Sequence, residues 1–211
     1  MRHNLLAASA LAVALMMVLS CASTPGVPDY EKQFNARVFT NVARDKVTVI
    51  SAKRFGENCR IVMDPSFDSR PFEVVLSGES EKTVDLLADR GLGMMVPVMM
   101  PAYFQDASVV AEAPADGASY AFKLEIQSLK ADVVEADKRV VQVEVVLSAE
   151  VSDPGGTQVV KTEGVGTGER TYAYRLYPTV ELACAHALGN ALNDLGRKLT
   201  TDAPQLASLL Q

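Results

Sequence analysis

The sequence predicts an α+β domain: a two-layer sandwich in which a mostly antiparallel sheet carries two helices on one face. Three observations predict it. Between Tyr120 and Gly168 apolar residues recur at every second position in three runs, joined by Glu135-Ala136-Asp137-Lys138 and Asp153-Pro154-Gly155-Gly156. Such alternation marks half-buried strands, and the joining tetrapeptides are turn chemistry. Val180, Cys184, Leu188, Leu192, Leu195 and Leu199 then form one helical stripe, widened by Ala183, Ala187 and Ala191. Val84, Leu87, Ala88 and Gly91 fall at helical spacing opposite Glu81, Lys82, Asp85 and Asp89, after polar N-cap candidates at 77–80. The expected sheet is therefore a meander over 120–168, and the expected helices run over about 79–90 and 179–199.

The elements follow in order. Phe34, Val38 and Val42 recur in steps of four, which suits a helix, while Val38-Phe39-Thr40 also suits a strand. Residues 46–52 and 59–64 alternate as strands, the second with Cys59, Ile61 and Met63 on one face. Residues 65–71 read as a loop and 72–76 as a third short strand. Residues 92–104 hold Met94, Met95, Met99 and Met100 among Val and Pro. Methionine repacks easily, so one reading is an adaptable partner surface; the other is a buried strand followed by an apolar turn. A short edge strand is expected over 108–113. In the first meander strand the apolar phase runs Tyr120, Phe122, Leu124, Ile126 and then slips to Leu129, Ala131, Val133, which places a bulge near Ser128. In the last helix Glu181 sits in the first turn, and Arg197 and Lys198 complement the dipole at the other end.

The start of the chain reads as an export signal. Met1 to Asn4 is cationic, Leu5 to Leu19 is apolar apart from Ser9, and Val18-Leu19-Ser20-Cys21 closes it. A charged start, an apolar centre of about 7–15 residues and a small-residue exit describe a secretory signal. A membrane span needs about 20 apolar residues, more than this run comfortably supplies. The closing tetrapeptide resembles the lipobox of bacterial lipoproteins, with Val18 and Leu19 departing mildly from the usual Leu and Ala or Ser. That resemblance implies cleavage before Cys21, acylation of Cys21 and, with Ala22 rather than Asp next, an outer-membrane address facing the periplasm. The expected partition is a signal over 1–20, a lipidated cysteine and tether over 21–44, a single domain over 45–200 and a tail over 201–211.

Removing the first 20 of 211 residues leaves 191, enough for one domain with its own core. It also removes Arg2, leaving 19 basic residues against 26 acidic ones, a net charge of −7. An acidic chain is a poor match for a phosphate backbone, so nucleic acid is not an expected partner. Cys59 and Cys184 remain. If the terminal helix packs on the sheet that holds Cys59, both sulfurs enter one core; a disulfide and two separate buried thiols are both open.

Catalytic chemistry is sparse. His186 is the one histidine left after cleavage, and its helical phase places it with Asn190, Asn193 and Arg197 on the polar side of the last helix. There is no Gly-x-Ser-x-Gly, no His-Glu-x-x-His and no cysteine–histidine cluster, so no catalytic residue, metal or cofactor is predicted. Gly164-Val165-Gly166-Thr167-Gly168 lacks the Gly-Lys-Ser/Thr ending of a phosphate loop and reads as a flat or bulged strand end. Tyr172, Tyr174, Arg175 and Tyr177, with Arg170, form the one aromatic-basic cluster. Such residues are enriched in binding hot spots and are equally ordinary packing between strand and helix.

This order of elements over roughly 59–200 resembles the amino-terminal domain of the Tol-Pal translocation protein and lipoproteins related to curli-secretion accessories. The resemblance implies a two-layer domain that docks an envelope protein partner in outer-membrane assembly, transport or secretion. The expectation is a non-enzymatic docking protein held to the membrane by its lipid; the alternative is a periplasmic hydrolase whose site the motifs do not reveal.

Overall fold

Asn35 opens the first helix among the described residues. Its side chain accepts the Arg37 N–H at 3.0 Å, as an N-cap should. The computed structural model describes residues 35–47, 53–69, 71–76, 82–87, 92–114, 117–135, 139–171 and 176–211. All of these belong to one compact unit spanning Lys32–Gln211. The signal, Cys21 and most of the strand expected over 46–52 lie outside the described residues. Helix α1 (Ala36–Lys46) settles the ambiguous segment as helix and takes Lys46 from that strand. It buries Phe39, Val42 and Ala43, so this part of the expected tether is core.

Strand β1 (Cys59–Met63) lies as read, and a four-residue helix α2 (Ser66–Ser69) interrupts the expected loop. Strands β2 (Pro71–Leu76) and β3 (Lys82–Leu87) form an antiparallel hairpin with Leu76 opposite Lys82. The helix expected over 79–90 is therefore a strand. Its apolar pattern is too short to separate the two periods, and a short connection from a Val-rich strand favours pairing with it.

The 92–104 segment is not a strand, and most of it is buried. It forms the short helix α3 (Met95–Met99) and a 3₁₀ turn over Met100–Ala102. Pro97 is tolerated because the first turn of a helix leaves its N–H groups unbonded in any case. Val109–Val110 is the edge strand β4.

The three long strands are β5 (Tyr120–Glu135), β6 (Val140–Ser152) and β7 (Gln158–Thr171). Sheet order is β4-β1-β5-β6-β7, parallel at β4-β1-β5 and antiparallel from β5 onward. The predicted bulge is present: Ile126 faces Leu147, but Ser128 faces Val146. In the predicted turn, Asp153 Oδ1 accepts the N–H groups of Gly155 (2.9 Å) and Thr157 (2.8 Å), and Gly156 takes the positive φ of 81° that favours glycine.

The last helix, α4 (Leu176–Arg197), starts earlier than expected and ends in a π-turn over Lys198–Asp202. It lies across β6 and β7, and α1 packs on α4 and α3. The fold class stands as α+β with a mainly antiparallel sheet, and α1 supplies the second helix of the helical side. The expected tail is also packed. Its 3₁₀ helix over Pro204–Leu209 buries Leu206, and the last residue exchanges backbone hydrogen bonds with Arg54 at 2.9 and 3.0 Å. Phe55, beside that clamp, stacks with Phe104 and Phe122 at centroid distances of 4.7–5.0 Å, an arrangement that adds geometric preference to simple burial.

Cys59 and Cys184 are both buried and unpaired. The expected disulfide fails on topology: α4 covers β6 and β7, while Cys59 sits on β1, beyond β5. Neighbouring strands stand about 4.8 Å apart, so the helix and β1 are separated by more than a disulfide spans. Burial pushes the Cys59 thiol up to about 11, with Arg60 and the Gly56 backbone opposing, and raises Cys184 as well, helped by the Glu181 charge. Both are inert packing groups at neutral pH.

Candidate docking edge

Strand β7 ends the sheet on the side opposite β4, and the way α4 treats that edge defines the candidate site. The three glycines over 164–168 are the seat of the helix, not a bulged strand end. Gly164, Gly166 and Gly168 pair in register with Leu147, Val145 and Val143 and face α4. A Cβ on Gly166 would stand 2.1 Å from the Ala187 carbonyl oxygen, and one on Gly168 equally close to that of Ala183. Four helical residues rise about 6.0 Å and two strand residues about 6.7 Å. Ala183, Ala187 and Ala191 therefore run almost in step with the glycines. Small residue meets small residue, and the helix comes down to backbone contact.

That close approach brings a second column of α4 to the outer edge of β7. Asn190 Nδ2 donates to the Thr167 carbonyl at 2.6 Å, the Val165 N–H donates to Asp194 Oδ2 at 3.1 Å, and Lys198 Nζ donates to the Glu163 carbonyl at 2.8 Å. The outward backbone groups of three alternate strand residues are thus taken by side chains four apart on the helix. An open edge otherwise invites pairing with another chain. Asp194 is the centre of the column: it also receives Lys198 at 2.8 Å and Arg197 at 2.9 Å. Burial works against its charge, but Lys198, the Val165 N–H and Arg197 outweigh it and hold the carboxyl down to about 2. The spacing of Asn190, Asp194 and Lys198 was visible in sequence. It acquires meaning only beside the alternating glycines that bring the helix within reach.

The column stops at Lys198. Beyond it, between β7 and the π-turn, lies an open groove of about 770 Å³. Val159, Lys161 and Glu163 form its strand wall, and Lys198, Asp202 and Gln205 its other wall. By the alternation that turns 163, 165 and 167 outward, Lys161 presents its N–H and C=O to this groove. Val159 adds an apolar contact at 40 % exposure.

The surface expected from the methionines does not form. Met95, Met99 and Met100 are buried; Met94 alone is exposed, at 45 %. Tyr172, Tyr174 and Arg175 lie outside the described residues, and Tyr177 falls in the first turn of α4. His186 is not freely solvated. It is half-buried, and the Arg170 guanidinium donates to its Nε2. Burial, then Arg170 and Lys46, lower its pKa, with Asp45 opposing. Among the described residues no group of three His, Cys, Asp or Glu side chains is arranged to hold a metal ion. No described helix is long and apolar enough to cross a membrane.

No known family and no curated protein matches the sequence. Among solved structures the chain is similar to XCC0632 of Xanthomonas campestris, of family DUF330, with 14 % identity, 76 % of this chain and 90 % of that one covered, and a TM-score of 0.44. It is similar to a candidate lipoprotein of Caulobacter crescentus CB15, with 13 % identity, coverage of 82 % and 96 %, and a TM-score of 0.39. An uncharacterized protein follows at 8 % identity, coverage of 70 % and 92 %, and a TM-score of 0.37. Likeness at this level transfers neither family nor function, so the site rests on its own geometry.

Proposed function

We propose that this chain is a non-enzymatic protein of the bacterial envelope. It is anchored through acylated Cys21 in the outer membrane, faces the periplasm, and docks an extended segment of a partner protein in the groove beside β7. The observation that carries the reading is the contrast along one strand. From Glu163 to Thr167 the edge is closed by the chain's own helix, whereas beside Lys161 it opens into a groove. An added strand would take its main-chain bonds from Lys161 and its side-chain contacts from Val159 and the mixed charges of Lys161, Glu163, Lys198 and Asp202. A docking role of this kind suits assembly, transport or secretion across the envelope.

The docking half is tested with a photo-crosslinking residue at Thr162 or Gln205 in cells, against one at the exposed turn residue Glu57. Groove positions are expected to give one discrete adduct and Glu57 none. Lys161→Pro removes an outward N–H without touching the ladder to β6 and should abolish the adduct while leaving thermal stability in place. Adducts that survive Lys161→Pro, or that form equally from Glu57, would reject the groove. The anchor is tested by labelling cells with a tagged fatty acid. Label is expected on the wild type and absent from Cys21→Ser, and equal label on both would remove the tether from the proposal.

A further inference from the structure

Away from the groove, three basic side chains from three elements meet on one surface: Lys46 at the end of α1, Arg170 on β7 and His186 in α4. Each is held by neutral partners. The Lys46 stem lies on Gly189, where a Cβ would come within 2.4 Å of Lys46 Cδ, and its ammonium donates to Asn190 Oδ1. Asn190 is itself fixed, since its Nδ2 donates to Thr167. Arg170 donates to the Glu169 carbonyl at 2.8 Å and, through its other terminal nitrogen, to His186 Nε2. Neither Lys46 nor Arg170 has a carboxylate within ion-pair distance among the described residues. The Glu169 carboxylate, the nearest on β7, is turned to Gln142 on the opposite face at 2.7 Å. On α1, Asp45 is the acidic group that acts on His186; on α4, Asn190 contributes no charge.

Two cations with no carboxylate partner among the described residues, pinned beside a half-buried imidazole, repel one another. The repulsion is legible in both titrations: burial first and then Arg170 lower Lys46, while burial and then Arg170 and Lys46 lower His186. A chain with a net charge of −6 has carboxylates in excess, so leaving this cluster without one costs stability that a bound anion would restore. We propose that Lys46, Arg170 and His186 form a binding site for a phosphate oxyanion, from an anionic lipid headgroup or from free phosphate. Lys46 supplies a point charge; protonation of His186 at Nε2 ends its acceptance from Arg170 and frees both the imidazolium N–H and the planar guanidinium fork to donate to the anion. Binding therefore favours the imidazolium and strengthens as pH falls through the His186 titration.

The test follows the His186 ring by NMR in the purified full chain, with the signal assigned by its loss in His186→Gln. Saturating inorganic phosphate at constant ionic strength is expected to make His186 titrate about one pH unit higher, a tenfold coupling between proton and anion. Lys46→Gln and Arg170→Gln should each weaken phosphate binding about tenfold, with circular dichroism unchanged. Vesicles of phosphatidylglycerol are compared with phosphatidylcholine in the same titration. A shift with phosphate supports the site for free phosphate; a shift with phosphatidylglycerol alone supports it for lipid. No shift with either overturns the proposal, whatever the variants do.

Discussion

Gly166→Leu is expected to leave no soluble folded protein, and Gly166→Ala to lower the thermal midpoint by about 2–10 °C. A Cβ at this position would lie 2.1 Å from the Ala187 carbonyl oxygen and 2.2 Å from the Ala191 nitrogen, against a comfortable separation of about 3.5–4.0 Å. Two effects of Gly166→Ala compete. Restricting the unfolded chain favours alanine by about 0.4–1 kcal/mol. Overpacking costs about 1–3 kcal/mol, occasionally more, and it wins here because α4 has no freedom to move: Gly164 and Gly168 hold it on either side, where a Cβ would stand 2.5 and 2.1 Å from the Ala191 and Ala183 carbonyl oxygens. In a domain of this size about 1 kcal/mol shifts the midpoint by about 2–4 °C. The clash is with helix backbone, so Ala187→Gly added to Gly166→Ala should rescue nothing. Thr167→Ala, whose side chain points to solvent one residue along, should stay within about 0.5 kcal/mol of the wild type. Soluble yield checks Gly166→Leu and thermal unfolding followed by circular dichroism the other three variants, and an unaltered midpoint for Gly166→Ala would mean the helix does not rest on these glycines.

The same glycines mark the boundary of what could be read without coordinates. Period-two alternation made β5, β6 and β7 legible, because a half-buried strand writes its two faces directly into the order of residues. The Ser128 bulge was legible for the same reason: an extra residue shifts the phase, and Leu129, Ala131 and Val133 record the shift. Short segments carry no such redundancy. Val84 and Leu87 suit helix or strand, and pairing with β2 decides between them. The methionine run concealed a helix because a proline in its first turn looks like a break. Relations between distant elements were not written locally at all. The separation of Cys59 from Cys184 follows from β5 lying between β1 and β6, and the edge-covering column of α4 exists only because three strand residues have no side chain. The resemblance to envelope docking domains supplied the idea of a partner. Residue chemistry pointed to methionines and tyrosines, whereas the groove lies between β7 and the segment after α4.

Acid should loosen that column in a way a single substitution can isolate. Asp194 accepts Val165, Lys198 and Arg197 together, and its carboxyl is held down to about 2 in the folded chain. In the unfolded chain it returns to about 3.9. A depressed carboxyl contributes stability that is fully present above the unfolded value and is lost as pH falls through the folded one. The window is therefore about pH 4 down to about pH 2. One pH unit of difference corresponds to about 1.4 kcal/mol. The side chain keeps 24 % exposure, so solvent screening brings the expected contribution to about 1–2 kcal/mol. Asp194→Asn should lose that amount at pH 7 and change less than the wild type between about pH 4 and pH 2. Other depressed carboxyls, Asp64 and Asp106 among them, titrate in both proteins and cancel in the difference. Urea midpoints across that range give the comparison, and amide exchange localises it. The Val165 N–H is bound by a side chain and not by β6, so it should exchange faster in the variant while its neighbours Gly164 and Gly166 remain protected. Parallel stability curves for the two proteins, with Val165 exchange unchanged, would show that the Asp194 carboxylate does not hold the edge of β7 to the helix.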